Sequence, residues 1–196
     1  MVGGLMRHSG RLLRAPSAAA LLTGLFAISS VMGADPAKSS WPQYRGPARS
    51  GISGETGIFK TWPETGPKVL WKIPLGDGYS GISIVSERVV TMFSRERDEF
   101  VVSFNAADGK ELWRTRVDEN RRDEMGDGPR STPVIEGDMV YALGARGMLV
   151  AVKLASGEKV WEKDLKSAVG ARIPKWGVST SPIVEGRARA SDSAST

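Results

Sequence analysis

From Lys68 onward the chain alternates short β-branched and aromatic runs with clusters of turn residues. The runs are Val69–Ile73, Ile82–Val85, Val89–Phe93, Phe100–Phe104 and Leu112–Val117. Ser86-Glu87-Arg88 and Ala107-Asp108-Gly109-Lys110 separate them, and both are turn-forming by composition. No window of a dozen residues in this part holds a 3.6-residue period, so the pattern predicts strands and an all-β fold.

The pattern also repeats. Residues 83–90 (SIVSERVV) align with residues 133–140 (PVIEGDMV), and residues 102–113 (VSFNAADGKELW) align with residues 150–161 (VAVKLASGEKVW). The small difference between the two offsets falls in the turn from Ser94 to Glu99, where repeats tolerate length changes. Each unit carries four strand candidates, those of the second being Thr132–Ile135, Met139–Leu143, Met148–Lys153 and Lys159–Asp164. A four-stranded unit of about 40 to 50 residues has the length of a β-propeller blade. The Gly-to-Trp spacing is the same in both units, so Trp113 and Trp161 are expected to be equivalent, each closing the outer part of its blade.

Upstream of the repeats the pattern is different. Pro and Gly punctuate residues 35–67, from Trp41-Pro42-Gln43-Tyr44-Arg45-Gly46-Pro47 to Trp62-Pro63, and this predicts an irregular strap lying over a larger body. Trp41, Tyr44 and Trp62 either anchor that strap or stack a ligand. Residues 1–34 have the order of an export signal: Arg7, Arg11 and Arg14, then the apolar run Ala18–Ile28, then small residues with cleavage expected at Gly33 or Ala34. An uncleaved anchor is the competing reading, because residues 15–34 are uncharged. With cleavage no membrane span remains and the protein is exported, periplasmic or extracellular.

Composition narrows the chemistry. The chain has no Cys and a single His, His8, inside the expected signal. Thiol nucleophiles, disulfides, Cys- or His-ligated metals and a Ser-His-Asp triad are therefore excluded from the mature protein. Removing three arginines and no acidic residue with the signal lowers the net charge from +5 to +2, so the basic balance gives no support to nucleic-acid binding.

Residues 107–113 (ADGKELW) and 155–161 (ASGEKVW) resemble the tryptophan-docking repeat of pyrroloquinoline-quinone-type (PQQ-like) β-propellers. Residues 131–138 (STPVIEGD) and 179–186 (STSPIVEG) resemble the opening strand of that repeat, and WPQYRGP resembles the start of exported bacterial proteins of the type. The resemblance implies a propeller and covers roughly Trp41 to Gly186. It is shared by quinone-dependent dehydrogenases and by a scaffold propeller of outer-membrane assembly, so it does not select a function. Residues 187–196 hold no Val, Ile, Leu, Phe, Tyr or Trp where a third blade requires its second strand. The expected organisation is a signal at 1–34, a strap at 35–67, incomplete propeller repeats at 68–186 and a disordered tail at 187–196. This amounts to two four-stranded blades with a stray strand at each end, around Trp71 and at Ser181–Val184. Such a chain reads as an N-terminal fragment, since propellers close with four to eight blades.

Few residues carry candidate chemistry. Residues 76–81 (GDGYSG) match G-x-G-x-x-G, but a strand pattern follows where a dinucleotide site requires a helix, so they read as the entry turn of a blade. Asp118, Glu119, Asp123, Glu124 and Asp127 read as a solvated inter-blade loop rather than a calcium loop, because arginines stand where oxygen ligands are needed. Arg130, Arg172 and Trp176 precede innermost-strand candidates; they are the candidates for holding an anionic or aromatic ligand, with packing or solvent exposure as the alternative. No catalytic or metal-ligating residue is assigned. Two function classes remain: a non-catalytic interaction or scaffold module with a protein or polymer partner outside the cytoplasm, and the remnant of a quinone-dependent alcohol or sugar dehydrogenase. Only the second implies the quinone PQQ and calcium.

Overall fold

The computed structural model describes residues 40–58 and 60–185. The expected signal (residues 1–34) and the expected tail (residues 187–196) lie outside the described residues. The eight strands are β1 Ser83–Val85, β2 Arg88–Arg95, β3 Asp98–Asn105, β4 Glu111–Glu119, β5 Val134–Glu136, β6 Met139–Leu143, β7 Met148–Lys153 and β8 Lys159–Asp164. They form two separate four-stranded antiparallel sheets in sequential order, β1-β2-β3-β4 and β5-β6-β7-β8. This is the partial propeller that the repeat implies, with two blades described.

The two blades are built alike in detail. In the first, Trp113 pairs with Ser103 and a bulge follows between Ser103 and Phe104. In the second, Trp161 pairs with Ala151 and a bulge follows between Ala151 and Val152. Each extra residue bends the outer strand and re-aims its side chains. The central strands are apolar on both faces because neighbours cover both. Val90, Met92 and Val101 of the first blade pack with Ile135, Val140, Ala142, Val150 and Val152 of the second. On the opposite face Val89, Phe93, Val102 and Phe104 pack under Trp71, Ile73 and Leu75. Alternation of period two thus places neighbouring residues of β2 and β3 in two different cores.

Three expectations need correction. The segment around Trp71 and the segment Ser181–Val184 run without a strand ladder, because among the described residues no strand lies hydrogen-bonded beside either. A short helix, α1 Leu165–Val169, follows β8; the Asp164 carboxylate accepts from Lys166 N–H and Gly170 ends the helix in the left-handed region at φ 66°. Five residues are too few for a helical period to show in the sequence.

The third correction concerns the tryptophans. Trp113 is buried (7 % exposed) and its indole N–H donates to Leu154 O at 2.9 Å, in the β7–β8 turn of the following blade. In that turn Gly157 has φ +72°, and a Cβ there would lie 2.6 Å from the indole ring. Trp71 makes the same contact one blade earlier: it donates to Ala106 O at 2.9 Å, and a Cβ on Gly109 would lie 2.7 Å from its ring. Each tryptophan therefore covers the glycine turn of the next blade, and both glycines are required for backbone angle and for close approach. Trp161 has the matching register but is only half-buried, tilted against Tyr141 with ring centroids 6.0 Å apart. Trp113 and Trp161 are equivalent in the sheet and different in packing.

Candidate binding site

The strap lies against the inner strands. Trp41 forms an isolated antiparallel bridge with Ile84 of β1, with N–H···O distances of 2.7 and 2.9 Å, and Pro42 O accepts from Ile135 N–H of β5 at 2.8 Å. Successive strap residues therefore satisfy the inner strands of successive blades. Trp41 is the anchor, whereas Tyr44 and Trp62 are more than half exposed. Beyond Pro42 the chain folds into a compact turn in which Gly46 N–H donates to Gln43 O and Gly51 N–H to Arg45 O, both at 2.9 Å. Arg45 and Arg49 take left-handed backbone angles in this turn, φ 63° and 53°, which non-glycine residues rarely adopt.

Facing this turn is the entry segment of the first blade. Asp77 is bridged to Ser94, Tyr79 N–H donates to Pro129 O at 2.8 Å, and β1 rather than a helix follows, as expected for a blade's entry turn. Arg130 is half-buried; its guanidinium donates to Gly128 O at 2.8 Å and Gly126 O at 2.9 Å and stands 5.5 Å from the centre of the Tyr79 ring. Between them lies an open cavity of about 740 Å³ bounded by Arg45, Arg49, Tyr79, Arg130 and the run Ser179–Ile183. Its described lining contains three arginines and no carboxylate.

The three sequence candidates are distributed unevenly. Arg130 borders the large cavity and shares a smaller one of about 450 Å³ with Trp176, Tyr79 and Met125. Arg172 is exposed and lines a separate recess of about 360 Å³ beside Leu143 and Ile173, which Trp176 also borders. Arg45, Arg49 and Tyr79 were not singled out as site residues, since they lie roughly 50 to 85 residues before Arg130 and only the strap's docking on the inner strands brings them to it.

The acidic cluster also divides. Asp118 and Glu119 do not lie in a solvated loop; they end β4, and Asp118 is buried directly opposite Glu99 of β3. Both carboxylates face the β6–β7 turn of the second blade. Glu99 Oε2 accepts from Ala145 N–H at 2.9 Å and Asp118 Oδ2 from Met148 N–H at 3.1 Å. A Cβ on Gly144 would lie 2.5 Å from that of Asp118, so the turn approaches as closely as glycine permits. Burial pushes the Glu99 carboxyl up from 4.5 to about 7, with the Asp118 charge adding to the rise and the Ala145 and Arg121 amides and Arg130 opposing it. Asp123 stays local: it pairs with Arg121 at 3.6 Å and its N–H donates to Asp127 at 3.1 Å.

The sequence family described as outer membrane protein assembly factor BamB (PQQ_2) matches residues 52–188, more than half of the chain. The chain belongs to this BamB-like PQQ_2 family. No curated protein sequence matches it. Among solved structures, BamB from Moraxella catarrhalis is similar over 48% of this chain and 26% of its own, at 16% identity and a TM-score of 0.38. A quinohemoprotein alcohol dehydrogenase from Comamonas testosteroni is similar over 69% of this chain and 21% of its own, at 15% identity and a TM-score of 0.46. A europium-containing methanol dehydrogenase is similar over 42% and 14%, at 18% identity and a TM-score of 0.31. The chain thus spans about a quarter or less of the length of each of these structures.

Membership in the PQQ_2 family raises the question of whether the quinone and its metal fit here. Among the described residues no three His, Cys, Asp or Glu side chains are grouped to hold a metal ion. The large cavity presents arginines and no carboxylate, a lining that repels a divalent cation. Glu99 and Asp118 are committed to backbone amides between the blades. The described part of this family member does not fit a calcium–quinone site. Nor, among the described residues, is any helix long and apolar enough to cross a membrane.

Proposed function

We propose that this chain is part of an exported PQQ-like propeller that works as a non-catalytic interaction or scaffold module, engaging a protein or polymer outside the cytoplasm. The observation that carries the reading is the cavity beside the strap, where three arginines and two tyrosines surround an open recess whose described lining holds no carboxylate to act as base or to hold a metal. Such a lining supplies charge and stacking surface, which recognise a partner. Membership in the BamB-like family supports the same direction.

Two measurements test this. Adding the quinone and calcium to the purified chain is expected to leave dye-linked alcohol oxidation at background; quinone-dependent turnover would overturn the interaction reading. Export is tested separately. The charged, apolar and small-residue order of residues 1–34 supports cleavage at Gly33 or Ala34. The N-terminal residue of the exported protein is then Ala34 or Asp35, and a start at Met1 or Met6 would remove the signal assignment.

A further inference from the structure

Glu99 is a fully buried carboxyl outside the candidate site, and its two oxygens hold two backbone amides. Oε2 accepts from Ala145 N–H at 2.9 Å and Oε1 from Arg121 N–H at 3.4 Å. Those same two residues carry the loop that presents Trp176. Ala145 O accepts from Val178 N–H at 2.9 Å, and the Arg121 guanidinium donates to Lys175 O. Gly177, at φ +82°, sits on both: a Cβ there would lie 2.7 Å from Arg121 Cδ and 3.0 Å from Ala145 O. Residues 175–178 therefore rest on two supports, and one carboxyl holds both supports.

The charges facing Glu99 do not balance. Asp118 stands directly opposite on β4 and turns its carboxylate to the same β6–β7 turn, accepting from Met148 N–H at 3.1 Å. Arg130 favours the charged form of Glu99, but its guanidinium is bound to the Gly126 and Gly128 carbonyls. Arg121 directs its own guanidinium to Lys175 O and to Asp123 at 3.6 Å, and Arg146 of the turn pairs with Glu119 at 3.5 Å. Burial, with the like charge of Asp118 adding to it, keeps the proton on Glu99 up to about pH 7. Once ionised, the carboxylate repels Asp118 and pulls harder on both amides, since like charges interact strongly where water is excluded. Whatever moves Ala145 and Arg121 moves the Trp176 loop with them.

We propose that Glu99 is a proton-operated support of the Trp176 loop: neutral, it seats residues 175–178 on Arg121 and Ala145; ionised, it shifts both and displaces Trp176 from its place beside Arg130 and Tyr79. The proton passes to solvent, and only hydrogen bonds rearrange. Trp176 borders the recess that it shares with Tyr79, Met125 and Arg130, so pH sets the shape of that recess. Glu99 is a positioning residue, acting on Trp176 through Ala145 and Arg121. The inference goes beyond the interaction reading and stands without it, since no partner is needed for the loop to move.

The test uses the purified chain with 5-fluorotryptophan in place of tryptophan, followed by fluorine NMR between about pH 5 and about pH 9, on either side of the Glu99 transition. The Trp176 and Trp113 signals are assigned by their loss in Trp176→Phe and Trp113→Phe. The Trp176 signal is expected to shift with a midpoint near pH 7, the Trp113 signal to stay in place, and the shift to vanish in Glu99→Gln. Asp118→Asn removes the like charge and is expected to lower the midpoint, a change that a merely structural role of Glu99 would not produce. In the parent chain the Glu99 carboxyl carbon, followed by carbon NMR, is expected to share the Trp176 midpoint, which keeps the test decisive if either variant fails to fold. A Trp176 signal that does not titrate, one that titrates unchanged in Glu99→Gln, or different midpoints for Glu99 and Trp176 would overturn the proposal. Equal shifts of Trp113 and Trp176 would overturn it too, because the whole chain rather than the loop would then be responding. None of these outcomes depends on quinone turnover, so the interaction reading stands or falls separately.

Discussion

Replacing Trp113 by Ala lowers the unfolding free energy by about 3–5 kcal/mol, the range for a large aromatic lost from a packed interior. The indole is buried, donates to Leu154 O and covers Gly157, so truncation opens a cavity between the blades and leaves that carbonyl without its partner. Trp161→Ala, at the same register in the second blade, costs no more than about half as much, because that side chain is only half-buried, its ring tilted against Tyr141. Urea unfolding followed by circular dichroism compares the two, and equal losses would show that Trp113 does not tie one blade to the next.

A second large effect is the pH dependence set by Glu99. Its folded pKa is raised, from 4.5 to about 7, so the native state holds a proton that the unfolded chain releases. Stability from this group is complete below about pH 4.5 and is lost as pH rises through 7, by roughly 3 kcal/mol in all. Glu99→Gln keeps one acceptor for the Ala145 or Arg121 amide and cannot ionise. Relative to the parent, this variant is expected to gain stability progressively from pH 4.5 to 7.5. A difference between parent and variant that does not vary over that range would show that the carboxyl titrates elsewhere.

The blade itself was legible because its determinants are local. Met139–Leu143, Met148–Lys153 and Lys159–Asp164 are apolar or alternating runs between turn residues, and the structure places β6, β7 and β8 at those bounds. Repetition then supplied the architecture, since two copies of one four-stranded pattern predict two like sheets. The same local signal overreached at the chain segments around Trp71 and Ser181. Their composition suits a strand, but a strand also needs a hydrogen-bonded neighbour, and composition cannot supply one.

The candidate site was legible only in part. Arg130 and Trp176 are sequence candidates because they precede inner-strand patterns, and the structure places both beside one recess. Arg45, Arg49 and Tyr79 carried no such signal, and the cavity they complete depends on where the strap crosses the inner strands. Asp118 looked like one member of an exposed acidic run; only the β3–β4 register sets it opposite Glu99, and only blade packing buries both.

By itself, the sequence determined the all-β class, the four-stranded repeat, the glycine turns and the absence of cysteine and histidine chemistry beyond residue 8. These follow from side-chain period, turn propensity and composition, all read within a few residues of one another. Tertiary structure decided which blade each tryptophan covers, which carboxylates are buried and which arginines converge. Those properties arise between residues some 20 to 85 positions apart, and they are fixed by the blade-on-blade and strap-on-blade contacts that bring distant backbone amides, rings and charges together.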